Sequence, residues 1–201
     1  MQQKMGFALL EVLLAVILMA IAAGASYTLV KSFRTNAATQ QFLRYATNIT
    51  QNYIPFLESE AVGGTSIATP VYKNNGLSQT FLTSIGIPSD DMSCASGYCF
   101  VSSGIYSAST GTASNQTMRF NIGTVSSTYY FVIGVKASGG QVNQVLQSAS
   151  SLFSVFYTDG TTASASSEIT ADSAKDYHLY LVFPKSGSSL PGGAFDLDKA
   201  L

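Results

Sequence analysis

The sequence predicts an α+β fold, in which a long N-terminal helix packs on a C-terminal antiparallel sheet. An apolar run near the N-terminus continues without a break into a segment with helical periodicity, up to about residue 62. Beyond residue 63 the apolar residues alternate in short runs separated by Ser, Thr and Gly, which is typical of strands and turns. We therefore expect four segments, at residues 1–6, 7–30, 31–62 and 63–201.

The apolar run extends from Phe7 to Val30 and carries a single charge, Glu11. As a helix it covers about 36 Å, more than the roughly 30 Å of a bilayer's hydrocarbon core. It is therefore long enough to span a membrane. Basic residues flank it on both sides, so their number does not fix its orientation.

The helical pattern continues past the apolar run as a stripe of apolar residues at spacings of three and four, from Phe33 to Leu57. We interpret this stripe as part of the core of the C-terminal domain rather than as a docking site. The helix can end at two places: Ile54, before Pro55, or Val62, before Gly63 and Gly64.

The N-terminal segment Gly6-Phe7-Ala8-Leu9-Leu10-Glu11-Val12, preceded by Lys4, resembles the class III signal of type IV prepilins and the related pseudopilins. In that family a glycine precedes the cleaved bond, the next residue becomes the methylated N-terminus, and a glutamate occupies the fifth mature position. The resemblance implies a leader at residues 1–6, cleavage between Gly6 and Phe7 by a prepilin peptidase and N-methylase, and the type IV pilin fold.

The chemistry of these residues suits those roles. Gly6 provides an unhindered bond ahead of the helix, and cleavage there exposes an amine on Phe7. In an assembled bundle, that amine can pair with Glu11 of a neighbouring subunit and offset the desolvation of its carboxylate. The alternative for Glu11 is an acid that snorkels to the lipid headgroups.

A second interpretation of the N-terminus is a cleavable secretory signal. The small residues Ala22-Ala23-Gly24-Ala25 before Ser26 fit such a cleavage site. Glu11 inside the apolar run and the helical periodicity beyond Ser26 both count against it.

Different features of the chain resemble two different subtypes of the family. The six-residue leader and Phe7 look like the type IVa branch, but Thr28 stands where type IVa pilins usually carry proline. The chain length is similar to type IVb subunits, and Leu77–Gly86 looks like their short second helix. In that helix Ser78 can act as the cap, and Phe81, Leu82 and Ile85 share one face. We favour type IVb.

The C-terminal domain contains four predicted strands and a fifth candidate at Ser154–Tyr157. The four are Tyr98–Ser103, Thr117–Ile122, Tyr129–Lys136 and Tyr177–Phe183. A further segment of helical spacing opens at Gly139-Gly140 and runs to Phe153. We expect long exposed loops at Ser102–Gln116 and Thr158–Ala174.

Two cysteines, Cys94 and Cys99, enclose a short loop. Without a second Cys pair or a neighbouring His, zinc is not expected, whereas a disulfide fits an exported domain. Two free thiols are the alternative. Most type IV pilins close a larger loop near the C-terminus, so the family's usual variable region is not carried over.

Catalysis, cofactors and metal sites are not expected. Charged residues make up only 10% of the chain, against about 25% in an average domain, and no basic stripe suited to nucleic acid is evident. His178, inside a strand pattern, is interpreted as a sheet residue with a satisfied hydrogen bond. The acids Asp90, Asp91, Asp172, Asp176, Asp196 and Asp198 form no dense calcium loop.

The sequence thus predicts a structural subunit of a type IV pilus, made as a bacterial inner-membrane precursor and polymerised into a cell-surface filament. The resemblance implies as partners other copies of the chain, minor pilins, and an assembly platform with its ATPases. A pseudopilin or minor pilin is one alternative. A Sec-secreted β-rich binding domain is an alternative of another class.

Overall fold

A computed structural model describes residues 3–63, 72–106, 115–125, 128–149, 152–159 and 171–185. Internal contacts divide the chain into two units, Met1–Ala37 and Ala38–Leu201. We call the second unit the head. The predicted division into residues 1–6, 7–30, 31–62 and 63–201 stays a prediction.

Helix α1 extends over Gln3–Gly63. The sequence analysis expected the helix to begin near Phe7, but it begins earlier, at Gln3. Gly6 alone costs only about 1 kcal/mol of helix propensity, and no proline or capping residue stops the helix there. It also passes through Pro55, so the later of the two predicted ends is the one found. Pro55 removes a bond to the carbonyl of Gln51, and both residues are exposed, so water can satisfy that carbonyl.

In its described residues the head contains an antiparallel sheet, as predicted, and two further α-helices. The elements are β1 (Tyr72–Lys73), β2 (Gly76–Ser78), α2 (Gln79–Ser84), β3 (Met92–Ala95), β4 (Tyr98–Tyr106), β5 (Asn115–Val125), β6 (Thr128–Ser138), α3 (Gly139–Ser148), β7 (Ser154–Thr158) and β8 (Asp176–Phe183). The strand order in the sheet is β1-β2-β4-β5-β6-β8-β7, with β3 paired to β4.

Within the head, α1 supplies one side of the main core. Its buried apolar side chains recur at helical spacing, namely Ala38, Phe42, Ala46, Ile49 and Tyr53. Tyr53 packs on Phe131 of β6 with ring centroids 4.8 Å apart and on Phe81 of α2 at 5.5 Å. The predicted core stripe is therefore confirmed from Ala38 to Tyr53.

The predicted stripe is wrong at its N-terminal end. Phe33 is 71% exposed and Ala37 is also exposed. Burial on α1 begins at Ala38, because the head first meets the helix there. Phe56 and Leu57 have side chains outside the described part of the structure.

Strand β4 comes very close to α1 at Gly104. This glycine has a φ of +75°, and the β4–β5 register shifts between Ser102 and Tyr106. A Cβ at this position would lie 2.9 Å from Oε1 of Gln41 and 3.5 Å from Cα of Ala38. Gly104 therefore permits both the irregular strand and the close helix packing.

Within the head, a polar contact also joins α1 to the segment before β3. The hydroxyl of Tyr45 donates to Oδ2 of Asp91 at 2.6 Å. Burial, followed by this bond, raises the pKa of Tyr45 above its ordinary value. The Tyr45 hydroxyl therefore keeps its proton to a higher pH than that of an ordinary tyrosine.

Two tight hairpins form one end of the sheet. In each, both turn residues have positive φ, as a type I′ turn requires: Asn74 and Asn75 between β1 and β2, Ser96 and Gly97 between β3 and β4. Burial raises the pKa of the Tyr72 hydroxyl, although its hydrogen bond with Asn75 of the first turn lowers it. Strands β1, β2 and β3 were not predicted, because two to four residues are too short for a period to show.

The predicted disulfide is present. Cys94 on β3 and Cys99 on β4 are directly opposite each other, with their Cα atoms 3.9 Å apart. The carbonyl of Gly97 in the same hairpin accepts a bond from the amide of Gln79, at the start of α2. The hairpin thus supports this helix.

Helix α2 occupies the predicted place, with Ser78 before it and Gly86, at a φ of +82°, after it. Leu82 is fully buried, but the Ser78 side chain makes no capping bond. Helix α3 ends at Ser148 rather than Phe153, and Val142 and Val145 bury its inner face.

A second, smaller cluster is buried on the opposite side of the sheet from α1. It consists of Val132, Phe156, Tyr180 and Val182, with Tyr130 packed against it. Strands β6, β7 and β8 therefore bury side chains on both faces.

The expected loop at Ser102–Gln116 is partly wrong. Residues 102–106 continue β4 and residues 115–116 belong to β5. The Ser103 hydroxyl stabilises this pairing, because it donates to the carbonyl of Gln116 and accepts from the amide of Ile105. Residues 107–114 lie outside the described part. Of the loop expected at Thr158–Ala174, Thr158 belongs to β7, Asp159 and residues 171–174 are irregular or turn, and residues 160–170 lie outside the described part.

We predict that Cys94→Ser/Cys99→Ser lowers the free energy of unfolding by about 2 kcal/mol, because the bridge closes a very short loop. Chemical unfolding of the full-length protein in detergent measures this, with Ser93→Ala in the same strand as the control. In the unchanged protein, alkylation without reductant should leave the mass unaltered. Labelling of both thiols under those conditions would contradict the prediction.

Candidate functional site

The most unusual surface of the described chain is the apolar part of α1 in the first unit. Large apolar side chains there are about half to two thirds exposed. They are Val12 64%, Leu13 61%, Leu14 57%, Val16 57%, Ile17 48%, Leu18 59%, Met19 67% and Ile21 63%. We call residues 12–30 the apolar segment.

The apolar segment has no polar face. It contains no charged residue, the most apolar window within Val12–Tyr53 has a mean hydropathy of 2.2, and none of that window is buried. A continuous exposed apolar surface of this kind marks a membrane or protein interaction site. Within the described residues, α1 is the one helix long and apolar enough to cross a membrane, as predicted.

The predicted processing and assembly residues lie at the start of this helix. The backbone of Gly6, Phe7 and Glu11 is helical, and their side chains lie outside the described part. The bond after Gly6 is therefore inside the helix, whereas the sequence analysis had expected it ahead of the helix. The pairing of Phe7 with Glu11 stays a prediction.

A cluster that the sequence analysis missed lies at the C-terminal end of the apolar segment and just after it. Tyr27 is 71% exposed, and Arg34 lies two turns later, also exposed. An aromatic residue followed by cations at the end of an apolar run is the signal that could have identified it. The sequence analysis had instead used the next aromatic residue, Phe33, as part of the core.

Gly24 lies within the apolar segment and faces open space. A Cβ added there would meet nothing within 4 Å in the described chain. The packing of a single chain therefore does not explain this glycine.

The other candidate residues have structural surroundings. His178 on β8 has its Nδ1 3.5 Å from the hydroxyl of Tyr180, in line with a sheet histidine. Asp91 accepts from Tyr45, and Oδ1 of Asp172 accepts from the amide of Ala174. Asp90 is exposed.

The remaining predicted acids bring no cluster together. Asp176 is half-buried at the start of β8, and Asp196 and Asp198 lie outside the described part. In the ranges that the structure describes, no three His, Cys, Asp or Glu residues are placed to hold a metal ion.

An open groove of about 430 Å³ lies in the head beside α1. Six of its eight lining residues are polar or charged; the lining is Gln40, Leu43, Arg44, Thr47, Asn48, Gln51, Ser148 and Phe153. The side-chain NH₂ of Asn48 donates to the carbonyl of Ile85 at 3.0 Å, and its side-chain oxygen accepts from Asn52. The Asn48 side chain is therefore already committed to contacts within the head.

We predict that Ile17→Lys/Ile21→Lys abolishes membrane insertion of the full-length chain. Two central lysines cost about 5–7 kcal/mol, comparable with the roughly 5 kcal/mol contributed by about a dozen large apolar residues. Asn36→Lys/Gln40→Lys, with the same spacing on exposed positions beyond the segment, should insert normally. Resistance to carbonate extraction distinguishes them, and insertion of the first variant at the normal level would contradict the prediction.

Comparison with protein-family models, curated proteins and solved structures finds no match. The resemblance to type IV prepilins therefore depends on the N-terminal residues.

Proposed function

We propose that this chain is the precursor of a type IV pilus subunit, held in the bacterial inner membrane by α1 and then polymerised through that helix into an extracellular filament. The observation that carries the proposal is the exposure of the described side chains of the apolar segment. These side chains require cover from lipid before assembly and from other copies of the helix afterwards.

The residues before the apolar segment support a prepilin rather than a simple anchor. Gly6, Phe7 and Glu11 match the prepilin signal in identity and spacing. A simple anchor has no use for an acid inside its apolar run, since an intramembrane carboxylate is costly unless it is paired.

The disulfide supports export of the head. Bridges such as Cys94–Cys99 form and persist in oxidising compartments. The head therefore belongs on the outer side of the inner membrane, with the cleaved leader on the other side.

Assembly then follows from the charges. After cleavage, the amine of Phe7 and the carboxylate of Glu11 from different subunits neutralise each other inside the helix bundle. Since each unpaired charge would be costly there, the pair also fixes the axial position of neighbouring helices. The filament displays the head, and movement would come from assembly and retraction ATPases acting through a platform protein.

Intact-mass analysis of purified filaments tests the proposal. We expect a subunit that begins at a methylated Phe7. An N-terminus at Ser26 would overturn it in favour of a Sec-secreted domain. Filament abundance distinguishes a major subunit from a minor pilin or pseudopilin, and the low charge of the chain favours the abundant subunit.

We predict an asymmetric effect for Glu11→Ala. The precursor should insert and be cleaved normally, because removing a carboxylate from an apolar helix does not impede insertion. Filaments should be few or absent, since stranding the partner amine costs about 3–5 kcal/mol in each subunit.

Glu58→Ala is the matched control for that variant, because it removes the same charge outside the apolar run. Electron microscopy counts the filaments, and immunoblots follow the precursor and its cleavage. Wild-type filament abundance in Glu11→Ala would show that the pairing role is wrong.

A further inference from the structure

Three residues at the C-terminal end of the apolar segment and just after it share one side of α1. Tyr27, Lys31 and Arg34 are at helix positions i, i+4 and i+7, which lie within about 60° of one another around the axis. Tyr27 is 71% exposed and Arg34 is exposed. We call these three positions the boundary stripe.

The rise of the helix from Phe7 places the stripe at a membrane surface. From Phe7 to Ser26 the helix rises about 30 Å, which matches the hydrocarbon thickness of a bilayer. If the mature N-terminus lies at one face of that core, Tyr27 reaches the headgroups at the other face.

The cations of the stripe have no acidic partner along the helix. No Asp or Glu occurs between Val12 and Leu57, so no carboxylate lies one turn before or after Lys31 or Arg34. The preference of basic residues for the cytoplasmic side of a membrane does not explain Lys31 and Arg34 either, because export of the head places both on the outer side.

We propose that the boundary stripe binds the phosphate of anionic phospholipids in the leaflet nearest the head and thereby fixes how deeply α1 lies in the bilayer. A tyrosine ring suits the border between acyl chains and headgroups, with its hydroxyl toward water. The guanidinium of Arg34 can bind a phosphate through two parallel hydrogen bonds, and the ammonium of Lys31 adds a point charge. This inference rests on the membrane-anchored precursor of the proposed function.

The chain contains no tryptophan, so Tyr27→Trp provides a single fluorescent probe in the stripe. The full-length variant is reconstituted into vesicles that contain a fixed fraction of brominated phosphatidylglycerol or, separately, brominated phosphatidylcholine. We expect the anionic lipid to quench the probe more strongly at the same fraction. Each cation should contribute about a fivefold preference at low salt.

Adding Lys31→Gln/Arg34→Gln to the probe variant should remove the preference. Arg44→Gln is the matched control, because it removes an exposed cation of the same helix beyond the stripe and should leave the preference intact. Equal quenching by the two lipids, or a preference that survives the double substitution, would overturn the proposal. So would quenching that falls as protein concentration rises at constant lipid composition, since another copy of the chain would then cover the stripe.

The two proposals fail separately. Lipid preference in vesicles without filaments on cells would overturn the pilus function and leave the stripe. Filaments that begin at Phe7, from a chain with equal quenching, would overturn only the stripe.

Discussion

The structure depends on one constraint, which is that a single helix must satisfy two different environments. Up to Ala37 its described large apolar side chains are exposed, and from Ala38 they face a protein core. Apolar surface is unfavourable in water wherever it lies on the helix, so both parts are stable only when their apolar side chains are covered. The head covers one part, and the other requires lipid or further helices.

The sequence predicted those features that repeat over many residues. The apolar segment, the stripe from Phe42 to Tyr53 and the longer strands each show a period over at least six residues, which makes them recognisable. The boundary of the core was missed, because Phe33 has the same spacing as the buried residues. Periodicity shows which side of a helix is apolar but not where its partner begins.

Short elements and irregular geometry were predicted least well. The strand continuing through Ser103 and Gly104 looked like a loop, because small polar residues usually indicate one. In the structure these residues lie where the register of β4 and β5 shifts, and Gly104 allows close packing on α1. For the candidate site, the local signals at Gly6, Phe7, Glu11 and the cysteines were visible in the sequence. The exposure of Tyr27 required coordinates.

The double-sided burial of β6 and β8 restricts how the head can diversify. Tyr180 and Val182 on one face are as inaccessible as Leu179 and Leu181 on the other, so a change of volume at any of these positions would leave a cavity or overpack a core. Related chains that differ in what their surface binds would therefore have to differ in the hairpin turns and connections, while these two strands keep their side-chain volumes.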